Sequence, residues 1–175
     1  MERFRTLEAN EIECKVKQVK GTGLNILLYK TARTDMDLLD ETVGAENWTS
    51  DYKEIKGNLY CGIGVKTDTE WVWKWDCGIE SREDGEGNEK KGEASDAFKR
   101  AGFRWGIGRE LYTAPFIWVQ PANANIEPKG NGKFSCYDKF SVEKILYSED
   151  GRRITALSIV NETMKARVFV WQETK

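Results

Sequence analysis

The chain contains no histidine. That removes the commonest general base, so a Ser-His-Asp or Cys-His mechanism is excluded. The four cysteines, Cys14, Cys61, Cys77 and Cys136, are widely separated and form no CxxC pair. Without histidine partners they do not make a zinc site of the usual spacing. They read as buried thiols in a reducing compartment. No apolar run approaches the length of a bilayer span, and the opening MERFRTLEANEIE lacks the apolar core of a signal peptide. The expectation is a cytoplasmic protein with no membrane contact. No GxxxxGKS/T motif is present, so P-loop ATP hydrolysis has no support. Gly62-Ile-Gly64 and Gly106-Ile-Gly108 lack the third glycine of a dinucleotide fingerprint. Proline is scarce, and Pro115, Pro121 and Pro128 punctuate one irregular connection.

What is present suits one well-buried soluble domain over residues 1–175: 39% hydrophobic and 32% charged residues. Net charge is −2, which does not advertise a nucleic-acid binder, but the charges fall in blocks. Residues 12–33 carry five bases against Glu13. Residues 35–54 carry seven acids against Lys53. Residues 90–109 carry six bases against Glu93 and Asp96. Such alternation fits local basic surfaces on an acidic body, or charge-matched subunits.

Residues 12–29, broken at Gly21-Thr22-Gly23, read as a strand or an irregular basic arm. Thr34 is a candidate cap for a helix over Asp35–Val43 with Met36, Leu39 and Val43 on one side, stopped by Gly44. Trp48–Ile55 reads as a strand and Lys56-Gly57-Asn58 as a turn. Leu59, Cys61, Ile63 and Val65 then alternate with Tyr60, Gly62, Gly64 and Lys66, the period of a half-buried strand. The next strand places Trp71, Trp73 and Trp75 on one face, with Val72, Lys74 and Asp76 on the other. The two glycines of the preceding strand suggest a close approach. An acidic glycine-rich loop is expected over Gly78–Asn88, followed by a helix from about Gly92 to Gly106. Asn131-Gly132 is a turn signal. The last third reads as strands over Tyr137–Tyr147, Ile154–Val160 and Ala166–Trp171, the first two joined by a turn at Glu149-Asp150-Gly151. The fold class is α+β with an antiparallel sheet.

The stretch KKGEASDAFKRAGFRWGIGRELY, Lys90–Tyr112, carries most of the functional argument. At helical spacing Ala94, Phe98, Ala101 and Trp105 form one stripe, fit to bury against a sheet. Lys99, Arg100, Phe103 and Arg104 form the other, cations around an aromatic ring. A solvated helix face is the commoner meaning of such a cluster. Phe103 on that polar face, which a purely solvated face would not want, and the acidic loop beforehand argue for something more focused. Three tryptophans on one strand face are usually core or subunit interface, though they also suit base stacking. Lys74, on the opposite face, could reach phosphate. The acids Asp35, Asp37, Asp40 and Glu41 include an i,i+4 pair, Asp37 and Glu41, that could hold a divalent metal. A solvated acidic face is the plainer reading.

Taken in order, ARTDMDLLDETVGAENW, YCGIGV, EWVWKWDCG, the acidic loop and KGEASDAFKRAGFRWGIGRELY resemble the Rad-fifty-two superfamily of single-strand annealing proteins. The likeness is closer to its short phage and bacterial members, of the Sak type. It covers about residues 30–115, the expected annealing core, and leaves 116–175 as a β-rich extension. The resemblance implies a β-β-β-α core, with the long helix packed behind a curved antiparallel sheet. It implies a homo-oligomeric ring or filament that holds single-stranded DNA in a basic groove and anneals complementary strands without ATP, cofactor or catalytic residue. Recombination and repair in a bacterial host cell would be the setting. A single-strand-binding protein or an exonuclease would be a candidate partner. The family's Lys-Arg pair matches Lys99 and Arg100. A third cation falls at Phe103 by spacing, with Arg104 beside it. A basic residue before an N-terminal glycine turn matches Lys17 or Lys20, and Lys74 is a further candidate. Rival readings are a strand-end-protecting binder, a metal-dependent nuclease using the acidic helix, and an assembly protein.

Overall fold

The structure, a computed structural model, describes residues 3–79 and 89–174. In chain order its elements are β1 (Glu13–Lys20), β2 (Gly23–Tyr29), α1 (Ala32–Val43), β3 (Trp48–Ile55), β4 (Asn58–Lys66), β5 (Trp71–Cys77), α2 (Glu89–Trp105), β6 (Ile117–Val119), β7 (Glu127–Gly130), β8 (Lys133–Ser135), β9 (Phe140–Tyr147), β10 (Ile154–Asn161) and β11 (Ala166–Gln172). The acidic loop expected over 78–88 lies, from residue 80 on, outside the described residues. The chain packs as two compact units. One gathers Lys30–Gly108 with the N-terminal residues up to Arg5. The other gathers Thr6–Tyr29 and the chain from Arg109 onward. Residues 6–29 thus pack with the C-terminal strands.

The first unit is the β-β-β-α core. Lys56 and Gly57 both have positive φ (53° and 75°), as a two-residue type I′ turn requires, and they join β3 to β4 in full register. Sheet order is β3-β4-β5, antiparallel throughout. The close approach expected at the glycines is between side chain and backbone. Gly62 stands opposite Trp75 and Gly64 opposite Trp73. A Cβ on either would come within 2.4 Å or 2.7 Å of the indole. The stacked Trp73–Trp75 pair, centroids 5.7 Å apart, thus lies over bare backbone and buries it.

The other face, with Cys61, Ile63 and Val65, takes α2. Ala97, Phe98, Ala101 and Trp105 are buried, and Trp105 Nε1 donates to the Ile63 carbonyl at 2.9 Å. Burying a Phe side chain contributes roughly 1.5–3 kcal/mol. The helix begins one turn earlier than expected. It ends in a Schellman motif: Gly106 (φ 101°) donates to Phe103 O, and Ile107 to Gly102 O. The α1 cap differs from expectation. Thr31, not Thr34, is the N-cap, its hydroxyl accepting from the Thr34 N–H. The helix buries Leu38 and Leu39, leaving Met36 exposed. Gly44 stops it as expected. Of the cysteines only Cys61 is buried; Cys14, Cys77 and Cys136 are half-buried free thiols.

The second unit is a six-stranded antiparallel sheet of order β11-β10-β9-β1-β2-β6, with the β7–β8 hairpin beside it. Residues 12–29, read as a strand or arm, are a hairpin. A bulge between Val16 and Gln18 leaves Lys17 unpaired. Leu24, Ile26, Ile117, Leu157 and Ile159 fill the interior.

Candidate nucleic-acid interface

Helix α2 carries acids as well as bases, and the two are used differently. Glu93 Oε1 accepts the Leu59 N–H and Asp96 Oδ2 accepts the Ile79 N–H, so both acids tie the helix to neighbouring backbone. Gly78 lets this approach happen, since a Cβ there would lie 2.3 Å from the Glu93 carbonyl. Arg104 is exposed, while Lys99 and Arg100 are half-buried. Arg104 Nε stands 3.0 Å from Asp76 Oδ2, Arg100 Nε 3.8 Å from Asp76 Oδ1, and Lys99 Nζ 3.8 Å from Asp96. Lys74, one strand position pair away from Asp76 on the same face of β5, donates to the Arg104 carbonyl at 3.2 Å, with its ammonium 4.2 Å from the Trp105 ring centroid.

Two cations, Arg100 and Arg104, therefore converge on one carboxylate, and Lys74 reaches the backbone of the second. Burial works to raise the Asp76 pKa, but the Cys77 N–H, Arg104 and Arg100 outweigh it and hold the carboxyl below its ordinary value. Ion pairs this exposed contribute about 0–1 kcal/mol, so a phosphate can replace the carboxylate at either arginine. Arg100 Nε is buried and makes no hydrogen bond among the described residues.

On the other flank, the residues have a structural task that sequence reasoning missed. Lys30 and Asp35 are fully buried and paired at 2.5 Å, and Lys30 also donates to the Lys99 carbonyl at 3.1 Å. Phe103 lies under the Lys30 ammonium, 4.1 Å from ring centroid to nitrogen. Its place on a polar face thus has a structural reason. Burial pushes the Asp35 pKa up to about 6, with Lys30 and Lys99 pulling the other way. The pair reaches α2 because residue 102 is glycine: a Cβ there would sit 2.4 Å from Asp35 Oδ2. Glycine inside a helical pattern was the one available signal of that approach.

The acidic helix disperses its carboxylates. Asp35 serves Lys30, Asp40 accepts the Trp48 indole N–H at 2.6 Å, and Glu41 takes Arg5 at 2.9 Å and 3.0 Å. Among the described residues no three or more metal-ligating side chains are grouped to hold an ion.

Lys17 and Lys20 belong to the second unit, in β1. Both are exposed. The bulge at Lys17 shifts the strand's phase, so that Lys15 and Lys20 share the outer face although five residues apart. The sequence candidates thus form a cluster of Lys74, Arg100 and Arg104 with Lys99 on the adjoining helix flank, and a separate pair on the β1–β2 hairpin.

A model of the Rad52/22 family of double-strand break repair proteins matches residues 5–129. The match spans well over half of the chain, which belongs to this family. DNA recombination and repair is therefore its setting. The match takes in Lys17 and Lys20 as well as the β-β-β-α core. Neither curated proteins nor solved structures gave a significant match. Among the described residues no helix is long and apolar enough to cross a membrane.

Proposed function

We propose that the protein binds single-stranded DNA through its backbone and anneals complementary strands without ATP, as a homo-oligomer and not as an enzyme. The observation that carries this reading is the convergence of Arg100 and Arg104 on Asp76, with Lys74 bonded to the Arg104 carbonyl and Lys99 alongside, on a helix whose Glu93 and Asp96 accept from neighbouring backbone. Phosphate contacts of this kind neutralise charge and leave base edges free to pair. Two strands can then approach, which is all that annealing asks of a protein. Lys17 and Lys20 supply further phosphate contacts. The annealing core is residues 30–115 of a single functional domain, and the family subtype is the short phage and bacterial one. An oligomer repeats the cation row along a strand. A nuclease that exposes the strand, or a single-strand-binding protein that covers it, is the partner class the reaction needs.

The test is annealing of two complementary labelled oligonucleotides in EDTA, without nucleotide. Acceleration at near-stoichiometric protein is expected. Strand binding without acceleration would replace the proposal with an end-protecting binder. Strand cleavage that appears only with added divalent metal and is lost in Asp37→Ala would replace it with a nuclease.

A further inference from the structure

The C-terminal strands add a second basic and aromatic surface to the second unit. Asn131 and Gly132 have φ of 52° and 72°, so β7 and β8 join through a type I′ turn. All of β7 is exposed, as are Lys133 and Phe134 of β8. Phe134 nevertheless docks on Gly21, where a Cβ would lie 3.0 Å from the ring tip. Gly21 opens the β1–β2 turn and directly follows Lys20, so the tips of the two hairpins share one surface. Next to them Tyr137 is 73% exposed, with the Lys129 ammonium 4.8 Å from its ring centroid. Lys17, Lys20 and Lys133 are exposed and make no ion pair among the described residues.

We propose that this surface is a second contact for single-stranded DNA, in which an unpaired base stacks on Tyr137 while Lys20, Lys129 and Lys133 meet the flanking phosphates. The proposal rests on the strand-binding reading above and assigns a role to residues of the C-terminal extension. Lys129 sits at the hydroxyl end of the phenol, hydrogen-bonded to it, and the exposed ring offers its surface to a base. Stacking of this kind is tolerant of sequence because every base has a π-face. A base held by its face keeps its pairing edge free, which is compatible with annealing.

The experiment is equilibrium binding of oligo(dT) and of an abasic oligonucleotide of equal length to the full chain. Tyr137→Ala should weaken oligo(dT) binding about tenfold and leave the abasic strand unchanged. Tyr137→Phe, which keeps the ring but loses its hydrogen bond to Lys129, should retain more oligo(dT) affinity than Tyr137→Ala. Lys129→Ala and Lys133→Ala should each lower the slope of log affinity against log salt by about 0.7. Equal loss on both oligonucleotides in Tyr137→Ala would overturn stacking. Unchanged affinity in Tyr137→Ala, with unchanged slopes in both lysine variants, would overturn the site. If those variants bind normally while Lys99→Ala with Arg100→Ala does not, this inference fails and the strand-binding reading stands. If the wild type binds neither oligonucleotide, both fail.

Discussion

In the first unit Lys99, Arg100 and Arg104 stand within 3.8 Å of a carboxylate, while in the second Lys17, Lys20 and Lys133 make no ion pair among the described residues. The first set rides on a long helix fastened to its sheet by Glu93, Asp96 and Trp105 and closed by a Schellman motif. The second rides on two hairpins. A cation held in place loses little freedom on meeting a phosphate but must give up its acid. A cation on an exposed hairpin gives up only water and counterions and loses more freedom. If DNA binds as proposed, both kinds would release counterions. Only the first can fix where a strand's backbone runs. On the proposed reading, Asp76 stands where a phosphate would go and would exchange with it.

Several substitutions break or sharpen that contrast. The largest effect should come from Lys30→Met, which removes the cation of a buried pair and leaves Asp35 charged against Gly102 of α2. A loss of about 3–5 kcal/mol in urea unfolding at pH 7 is expected. The loss should shrink as pH falls. Burial already raises Asp35 to about 6, and without Lys30 its pKa rises further. A proton then neutralises the carboxyl in the folded state first, so stability returns as pH drops through that value. Unchanged stability at pH 7 would mean that the pair does not position α2.

Next in size, Lys17→Ala with Lys20→Ala should lower the salt slope of oligo(dT) binding by about 1.4, with circular dichroism unchanged, since both side chains are exposed. No change in slope would remove the β1–β2 hairpin from the DNA surface. Asp76→Asn should act in the opposite sense and tighten binding about twofold to fivefold by removing the competing carboxylate. Among the described residues Lys17, Lys20 and Lys133 make no ion pair, so they have no such acid to remove. Weaker binding in Asp76→Asn would show that the carboxylate orients the arginines more than it competes with phosphate. The smallest effect on DNA should come from Trp73→Ala. That ring covers Gly64 and stacks on Trp75, so gel filtration should register changed assembly or solubility before affinity moves. Lost affinity with a normal elution profile would instead make the tryptophan face a stacking platform.

The parts of the fold legible in the sequence are those with an unbroken local period. Cys61, Ile63 and Val65 alternate through β4, and Phe98, Ala101 and Trp105 repeat at helical spacing through α2, so both elements and their buried faces could be read directly. The glycine-against-tryptophan packing was legible too, because glycines in a strand ask for a close neighbour. The β1–β2 hairpin was harder. Its bulge at Lys17 shifts the inner face from Cys14 and Val16 to Val19, which blurs the alternation halfway along. The Lys30–Asp35 pair was not legible. Both residues look like surface charges, and only tertiary packing brings them together under α2. The alternation of β5 puts Asp76 on one face with Val72 and Lys74 but names no partner for it. Its place between Arg100 and Arg104 depends on how α2 crosses β5, which no local pattern states. The Thr31 cap was missed by one turn because Thr34 offered the same chemistry, and the two hydroxyls in fact bond each other at 3.1 Å.

The measurement closest to the central claim is the salt dependence of oligo(dT) affinity for wild type and for Lys99→Ala with Arg100→Ala. If the α2 cations hold the DNA backbone, the double variant binds more weakly at low salt and its log–log slope falls by about 1.4, while its unfolding midpoint stays near that of the wild type. An unchanged slope in a folded double variant would contradict the account, and would leave Lys99 and Arg100 as charges that serve only Asp96 and Asp76.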